Sequence, residues 1–192
     1  MSSRIKWGGI AGIAAAALFI VSAILEQLSP LQRIYDSVAS YLYLGVGVAA
    51  YIAVIVAVLG IHALHSGRPR YGRLGTTGTV LTIAGYLIMI VVRMISMVAG
   101  RESLGNVRIG AGLAVLIGSV LLGVIILRAR ILPWWCGVLL IVAFPLGDVA
   151  NAIFSAAENL LLALLWGSVG VALLARREGV AEPAVTQPAQ AG

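Results

Sequence analysis

One basic residue and a few acidic residues are placed where they could bind a ligand or transfer a proton. Arg93 lies inside a long apolar run, whereas all other Arg and Lys residues lie outside such runs. A carboxylate that is partly removed from water can exchange a proton, and an arginine can hold an anionic or carbonyl group. The acidic and amide residues near the ends of other apolar runs are Glu26, Asp148, Asn151 and Glu158.

Arg93 shares one face of its helix with other polar residues. Counting back in steps of three and four residues, the pattern meets Tyr86 and then two threonines, which lie on one side of a helix. In a helix that spans a bilayer, an ionised side chain near the centre costs at least about 2.5 to 3.5 kcal/mol. Arg93 is therefore predicted to face the interior of a helix bundle, close to Glu26 or Asp148.

A second helical spacing occurs later in the chain. Asp148, Asn151, Ser155 and Glu158 are separated by three, four and three residues, so a continuous helix would align them on one face. Pro145 lies three residues before Asp148 and is expected to kink the helix there. A kink beside a carboxylate can open a pocket.

Two interpretations of these residues remain open. In the first, Arg93 forms a structural ion pair that clamps two helices together. In the second, one carboxylate acts as an acid or base on a ligand that Arg93 holds. The candidate acids or bases are Asp148, Glu26 and Glu158. The candidate residues for ligand binding or for a structural ion pair are Arg93, Asp148, Asn151, Glu26 and Tyr86.

A separate group of residues offers weak candidates for metal ligands. His62 and His65 share a helix face with Tyr51, and Cys136 begins another apolar run at a similar depth. Imidazole and thiolate are ligands of soft transition metals. The spacing matches no metal motif, and histidines at a helix end commonly meet headgroups or terminal backbone carbonyls. We therefore predict neither a metal nor another cofactor.

The chain that positions these residues is too apolar to fold in water. Its 192 residues are 61% hydrophobic and 10% charged, with a mean hydropathy of +1.06, whereas a soluble domain is about a quarter charged. Six apolar runs approach the roughly 20 residues that one crossing needs. The predicted fold is an all-α, polytopic membrane helix bundle of about six transmembrane helices. They cover residues 7–27, 41–64, 75–99, 109–127, 132–154 and 158–175.

One transmembrane domain is predicted over residues 1–177. Residues 178–192 are rich in Pro, Ala and Gln without apolar periodicity, which predicts a disordered cytoplasmic tail. The first helix follows Arg4 and Lys6 as a signal peptide would. Its apolar run is longer than the usual signal-peptide core of about 7 to 15 residues, so we expect it to remain uncleaved.

Basic residues predict that both ends of the chain are cytoplasmic. With the amino terminus inside, nine basic residues fall in cytoplasmic segments and three fall outside, which agrees with the positive-inside rule. Glu26, Arg93 and Asp148 then lie in the outer half of the bilayer. Aromatic residues mark the interfaces, and those assigned to the outer one are Tyr35, Tyr41 and Tyr43.

The charge of the chain does not indicate nucleic acid as a partner. The net charge is +6 and the isoelectric point is near 10.1, but the basic residues flank apolar runs and act as topology signals. The single Cys136 excludes an internal disulfide. Catalytic and nucleotide-binding motifs such as GxGxxG, GxSxG and HExxH are absent, so the sequence leans toward a protein that is not an enzyme.

Small residues are spaced for close contact between helices. Gly45, Ala49, Ala53 and Ala57 recur every four residues, a pattern that lets two helices approach in lipid. The row is interpreted as packing inside one bundle, and the alternative is the seam of a homo-oligomer. Shorter examples of the same pattern are Gly8 with Gly12, and Gly110 with Ala114 and Gly118.

The start of the fifth apolar run carries a resemblance to known proteins. It reads Arg130-Ile-Leu-Pro-Trp-Trp-Cys-Gly-Val-Leu-Leu, and the chain ends in an Ala/Pro/Gln-rich tail. This layout resembles small uncharacterised multi-spanning membrane proteins of high-GC Gram-positive bacteria. The resemblance implies a bacterial inner-membrane location and brings no established substrate or active-site residues.

The sequence thus favours a non-catalytic accessory protein, or one that binds a lipid or small solute. Its partners would be the lipid bilayer and a lipophilic ligand. The alternative is an intramembrane enzyme that acts on a lipophilic, isoprenoid-like substrate through carboxylate acid/base chemistry.

Overall fold

A computed structural model describes residues 3–28, 37–65, 71–101 and 104–176, except for the side chain of Asp148. This part of the chain forms six α-helices and no β-strand. The helices are α1 (Ser3–Leu28), α2 (Val38–His65), α3 (Gly72–Ala99), α4 (Gly105–Ala129), α5 (Trp134–Asn151) and α6 (Ala157–Ala175). The predicted tail, residues 178–192, lies outside the described residues.

The all-α membrane bundle predicted from the sequence is confirmed. Each of the six described helices is long and apolar enough to cross a bilayer. Large apolar side chains cover the outside of the bundle, for example Trp7, Ile24 and Val98, which are 59%, 54% and 92% exposed. An apolar exterior of this kind is stable against lipid and unstable against water, so the chain is a multi-pass membrane protein.

The fifth helix is shorter than predicted. It begins after Pro133, which is its N-cap. Proline has no backbone N–H to donate to the carbonyl of a preceding helical turn, so the helix does not extend to earlier residues. It ends at Asn151, and residues 152–156 turn before α6 begins. The continuous helix that would have aligned Asp148, Asn151, Ser155 and Glu158 is therefore not formed, and Glu158 lies on a separate helix.

Each helix packs against its neighbours in the chain, and α6 closes the ring by packing on α1. Neighbouring helices are antiparallel, so α1, α3 and α5 end where α2, α4 and α6 begin. We call this the Glu26 end and the opposite one the His65 end. The interior is filled by large apolar side chains, among them Phe19, Leu122 and Trp166.

Glycines set the distances between the helices. The backbones of α1 and α2 meet at Gly8 and Gly60, where a Cβ added to Gly60 would lie 2.6 Å from the Cα of Gly8. Gly12 meets Gly170 of α6 in the same way, with 2.8 Å between its added Cβ and the Cα of Gly170. Small residues allow such contacts in lipid, where helices associate by packing rather than by the hydrophobic effect.

The predicted small-residue pairs are used unequally. Gly8, Gly12 and Gly118 lie at contacts between helices, whereas an added Cβ on Gly45 or Gly110 would meet no atom within 4 Å. The first residue of the row on α2, Gly45, thus does not pack against another helix of the described bundle. Its use in a homo-oligomer stays a prediction.

Replacing Gly60 with alanine should destabilise the bundle. The new methyl group would overlap the backbone of Gly8, and overpacking of this kind typically costs about 1 to 3 kcal/mol. Unfolding in mixed micelles with increasing SDS measures the change. Gly110→Ala is the matched control, because its methyl group meets no neighbour. Equal stability of the two variants would show that the α1–α2 backbone contact does not limit the packing.

Candidate functional site

Arg93 lies on α3, six residues before the helix ends at Ala99, which is about 9 Å along the helix axis. Helical side chains lean toward the amino terminus of their helix, so the guanidinium reaches back toward the middle of the bundle. Its Nη2 donates a hydrogen bond of 3.1 Å to the hydroxyl of Tyr51 on α2. Arg93 thus faces α2 rather than lipid.

Two aromatic rings enclose the guanidinium. Its central carbon lies 5.1 Å from the ring centre of Tyr43 and 4.9 Å from that of Tyr51. Cations within about 6 Å of a ring centre are attracted by the negative ring face. These contacts offset part of the cost of placing a cation in an apolar helix.

Gly47 allows the guanidinium to approach the backbone of α2. A Cβ at this position would overlap Nη1 of Arg93. Tyr43, Gly47 and Tyr51 are spaced by four residues, so they lie on one face of α2. On this face, Gly47 leaves a space between the two tyrosine rings, and the side chain of Arg93 occupies it.

The sequence predicted a carboxylate partner for Arg93. The charge of Glu26 interacts with that of Arg93. Glu26 is 9% exposed, and it accepts a hydrogen bond of 2.8 Å from Asn159 of α6. The side chain of Asp148 is outside the described part of the chain, so its pairing with Arg93 stays a prediction.

The Glu26 end also brings α5 and α6 together. An added Cβ on Gly147 would lie 3.3 Å from the Cα of Glu158, so the two helices nearly touch there. Glu158 interacts electrostatically with Tyr86 of α3, which is 2% exposed. The predicted residues Glu26, Arg93, Tyr86 and Glu158 therefore belong to one region of the bundle.

Several buried polar atoms in this region have no hydrogen-bond partner. They are Ser22 Oγ, Tyr86 Oη, Arg93 Nη1, Asn151 Oδ1 and Trp166 Nε1. The indole of Trp166 lies beside the Tyr86 hydroxyl, but neither atom makes a hydrogen bond of good geometry. Leaving a buried polar group unpaired costs about 1 to 3 kcal/mol, so each of these atoms requires an explanation.

Sequence reasoning missed three residues of this site. Tyr43 was assigned to the outer interface, but it lies against Arg93. Tyr51 was grouped with the histidines, but it contacts Arg93 and Tyr86, with 5.2 Å between the two tyrosine rings. The third residue, Trp166, is not indicated by any sequence pattern. The four-residue spacing of Tyr43, Gly47 and Tyr51 was a usable signal, whereas nothing around Trp166 marks it.

The histidines at the His65 end are engaged in a different cluster. His62 Nδ1 is 3.0 Å from the hydroxyl of Tyr71, which is 2.6 Å from Oγ1 of Thr79. His65 donates to the carbonyl of Ile61 at 2.8 Å and stacks on the Tyr71 ring. Burial raises the pKa of the Tyr71 hydroxyl, against a smaller opposing effect of Thr79, so it stays neutral.

The predicted metal candidates do not converge. In residues 3–28, 37–65, 71–101 and 104–176, no three His, Cys, Asp or Glu side chains lie close enough to hold a metal ion. Cys136 is part of the apolar core. The hydrogen bonds that join His62, Tyr71 and Thr79 connect α2 to α3.

Removing the Tyr51 hydroxyl should weaken the bundle modestly. Tyr51→Phe loses the hydrogen bond from Arg93 but keeps the ring, and hydrogen bonds to charged groups contribute about 1.5 to 3 kcal/mol. Tyr51→Leu also loses the cation–ring contact and should cost about 1 kcal/mol more. SDS titration of unfolding measures both. Tyr41→Phe on the same helix, at a residue 40% exposed, should change little. A ranking in which Tyr41→Phe costs as much as Tyr51→Phe would contradict this arrangement.

Removing the Tyr71 hydroxyl should loosen the His65 end. Tyr71→Phe leaves the buried Thr79 hydroxyl without this partner, at a cost of about 1 to 3 kcal/mol. Hydrogen exchange at the start of α3 should then become faster. Thr77→Val, on the exposed side of the same helix turn, serves as the control. Unchanged exchange in Tyr71→Phe would show that the cluster does not hold α2 and α3 together.

The region around Arg93 offers mostly hydrogen-bond donors. The guanidinium and indole groups donate only, the hydroxyls of Ser22 and Tyr86 donate or accept, and Asn151 Oδ1 accepts. The arrangement can therefore hold an acceptor group inside the membrane. Comparison of the chain with family models, curated proteins and solved structures finds no match in any of the three.

Proposed function

We propose that this protein binds the polar group of a lipophilic molecule or small solute inside the bundle, at Arg93, and that it does so without catalysis. The proposal rests on the surroundings of the Arg93 guanidinium. It is a cation within a membrane helix, it is held by two rings, and its buried Nη1 makes no hydrogen bond of good geometry. Ionised residues inside membrane segments commonly mark the binding site for a substrate or ion.

The proposed setting is the bacterial inner membrane with both chain ends in the cytoplasm. The excess of basic residues at the His65 end supports this orientation through the positive-inside rule. The resemblance of the Arg130-Ile-Leu-Pro-Trp-Trp segment to membrane proteins of high-GC Gram-positive bacteria supports the location. In this orientation the Arg93 region lies in the half of the bundle that faces the outer leaflet, and lipids or exported molecules would reach it from that side.

Glu26 supports binding rather than proton transfer. Its carboxylate already accepts a hydrogen bond from Asn159, so it ties α1 to α6 as part of the bundle. An intramembrane enzyme remains the second candidate, because Glu158 interacts with the buried Tyr86 and could exchange a proton with a bound molecule.

Mass spectrometry of molecules that co-purify in mild detergent tests the proposal. Wild type should retain a specific small molecule or lipid, and Arg93→Gln should retain at least about tenfold less, since one hydrogen bond to a charged group contributes about 1.5 to 3 kcal/mol. The matched control is Arg73→Gln, because Arg73 is exposed near the start of α3. A chemically altered product bound only to wild type would favour the enzyme.

A second pair of variants separates binding from folding. Gly47→Ala places a methyl group against Nη1 of Arg93 and should displace the guanidinium, which is the flexible end of a side chain. Retention of the molecule should fall, and the loss of stability should not exceed that of Tyr51→Leu, because both variants lose the contacts of the guanidinium with Tyr51. Gly45→Ala, one position on the other side of Val46, meets no atom within 4 Å and should bind as wild type. Equal retention by wild type, Arg93→Gln and Gly47→Ala would overturn the proposed function.

A further inference from the structure

The interface between α2 and α3 is built differently from the other interfaces of the ring. The backbones of α1 and α2, of α1 and α6, and of α5 and α6 approach each other at the glycines described above. An added Cβ on Gly118 of α4 lies 2.8 Å from the carbonyl oxygen of Gly78 of α3, and one on Gly123 of α4 lies 2.6 Å from that of Gly137 of α5. Among the described glycines, none has the backbone across the α2–α3 interface as its nearest neighbour.

Side chains join α2 to α3 instead. The nearest atoms to a Cβ added at Gly47 all belong to the side chain of Arg93, whose guanidinium lies against the rings of Tyr43 and Tyr51. Helices in lipid associate through close packing, which small residues make possible. A pair of helices that lacks a backbone contact therefore depends on its side-chain contacts, and those of Arg93 are the polar ones toward the Glu26 end.

The two ends of the α2–α3 interface are held differently. At the His65 end the chain runs from α2 into α3, and Nδ1 of His62 is 3.0 Å from the hydroxyl of Tyr71. At the Glu26 end α2 begins and α3 ends, so no direct connection of the chain joins them there. An added Cβ on Gly100 has the hydroxyl of Tyr41 as its neighbour, at 4.0 Å. The interface can therefore hinge at the His65 end once the contacts of Arg93 are released.

The contacts of Arg93 lie between the surface and the interior of the bundle. Arg93, Tyr43 and Tyr51 are partly buried. Tyr86, whose ring centre is 5.2 Å from that of Tyr51, is 2% exposed, whereas Val98 of α3 is 92% exposed. A molecule that comes from the bilayer through this interface would meet the Arg93 contacts before it reaches the interior.

We propose that the α2–α3 interface is the lateral entrance through which a lipophilic molecule passes from the bilayer into the bundle, and that the contacts of Arg93 with Tyr43 and Tyr51 hold it closed. The entering molecule is the one bound at Arg93, so this part rests on the proposed function. A ligand shifts such an equilibrium only when it binds the two states with different affinity. An acceptor group that replaces the Tyr51 hydroxyl as the partner of Arg93 supplies this difference.

Distances between pairs of spin labels measure the opening in lipid nanodiscs. The labels are attached to cysteines in a Cys136→Ala background, at positions that are exposed on the bundle surface. The pair at the Glu26 end of the interface is Val38→Cys with Val98→Cys, and the pair at the His65 end is Leu59→Cys with Leu74→Cys. Arg93→Gln should lengthen the first distance by more than about 2 Å, the size of ordinary helix shifts at an interface, and the second distance by less.

Two further pairs and two further variants are the controls. Ile24→Cys with Val38→Cys spans α1 and α2, and Val98→Cys with Val107→Cys spans α3 and α4. Both distances should stay unchanged in Arg93→Gln, because glycine contacts hold these helices together. Gly47→Ala should lengthen the Val38–Val98 distance without removing a charge, since its methyl group displaces the guanidinium. Gly45→Ala should not lengthen it.

Alkylation of a buried cysteine measures entry into the bundle. Ser22 of α1 is 2% exposed, and Ser22→Cys in the Cys136→Ala background is treated with N-ethylmaleimide, which dissolves in lipid. Reaction should be at least about tenfold faster in Arg93→Gln than in wild type, because the closed state loses a hydrogen bond to a charged group. Gly47→Ala should also accelerate it, and Gly45→Ala should not.

The outcomes separate this inference from the proposed function, because neither measurement requires a bound molecule. An unchanged Val38–Val98 distance in both Arg93→Gln and Gly47→Ala would overturn the inference, and so would equal lengthening of all four distances. Lengthening without faster alkylation of Ser22→Cys would overturn the entrance. Arg93-dependent retention of a molecule by a bundle that stays closed would leave the proposed function intact. An interface that opens in these variants, without retention of a molecule by wild type, would overturn the proposed function alone.

Discussion

The close backbone contacts of α1 with α2 and α6 set the positions of the helices in this bundle. Hydrocarbon chains are as apolar as leucine, so helices in lipid gain stability from packing and polar contacts rather than from leaving water. Gly8 at Gly60 and Gly12 at Gly170 bring the backbones together. These contacts lie toward the His65 end, and the polar contacts of α1 lie toward the opposite end, where Glu26 meets Asn159.

Given that packing, the described side chains around Arg93 form a surface of two rings and a hydroxyl group. A guanidinium is planar and weakly hydrated, and it stacks on aromatic faces while it donates hydrogen bonds at its edge. The face of α2 with Tyr43, Gly47 and Tyr51 supplies both kinds of contact. These contacts use one edge of the guanidinium and its faces, whereas a bidentate ion pair would use two donors on one carboxylate.

The helices could be predicted from the sequence because hydropathy follows directly from what lipid requires of each crossing. The inward direction of Arg93 followed from the cost of its charge. Its aromatic partners, Tyr43 and Tyr51, could not be predicted in this way. A search for counter-charges overlooks rings, and tyrosines are also common at membrane interfaces. Trp166 could not have been found, since a buried tryptophan in an apolar helix has the same sequence signature as one that packs only apolar atoms. The turn at residues 152–156 was not predicted, because Ile153 and Phe154 extend the apolar run into it.

The unpaired donors are more informative than the charged residues. Ser22, Tyr86 and Trp166 are 2%, 2% and 0% exposed, and their polar atoms make no hydrogen bond of good geometry. Phenylalanine in place of Tyr86, or alanine in place of Ser22, would fill similar space without an unpaired group, which costs about 1 to 3 kcal/mol when buried. A bundle held together by small packing contacts has little stability to spare. The proposed acceptor would give Tyr86 and Arg93 the hydrogen bonds that the packing of the bundle does not supply.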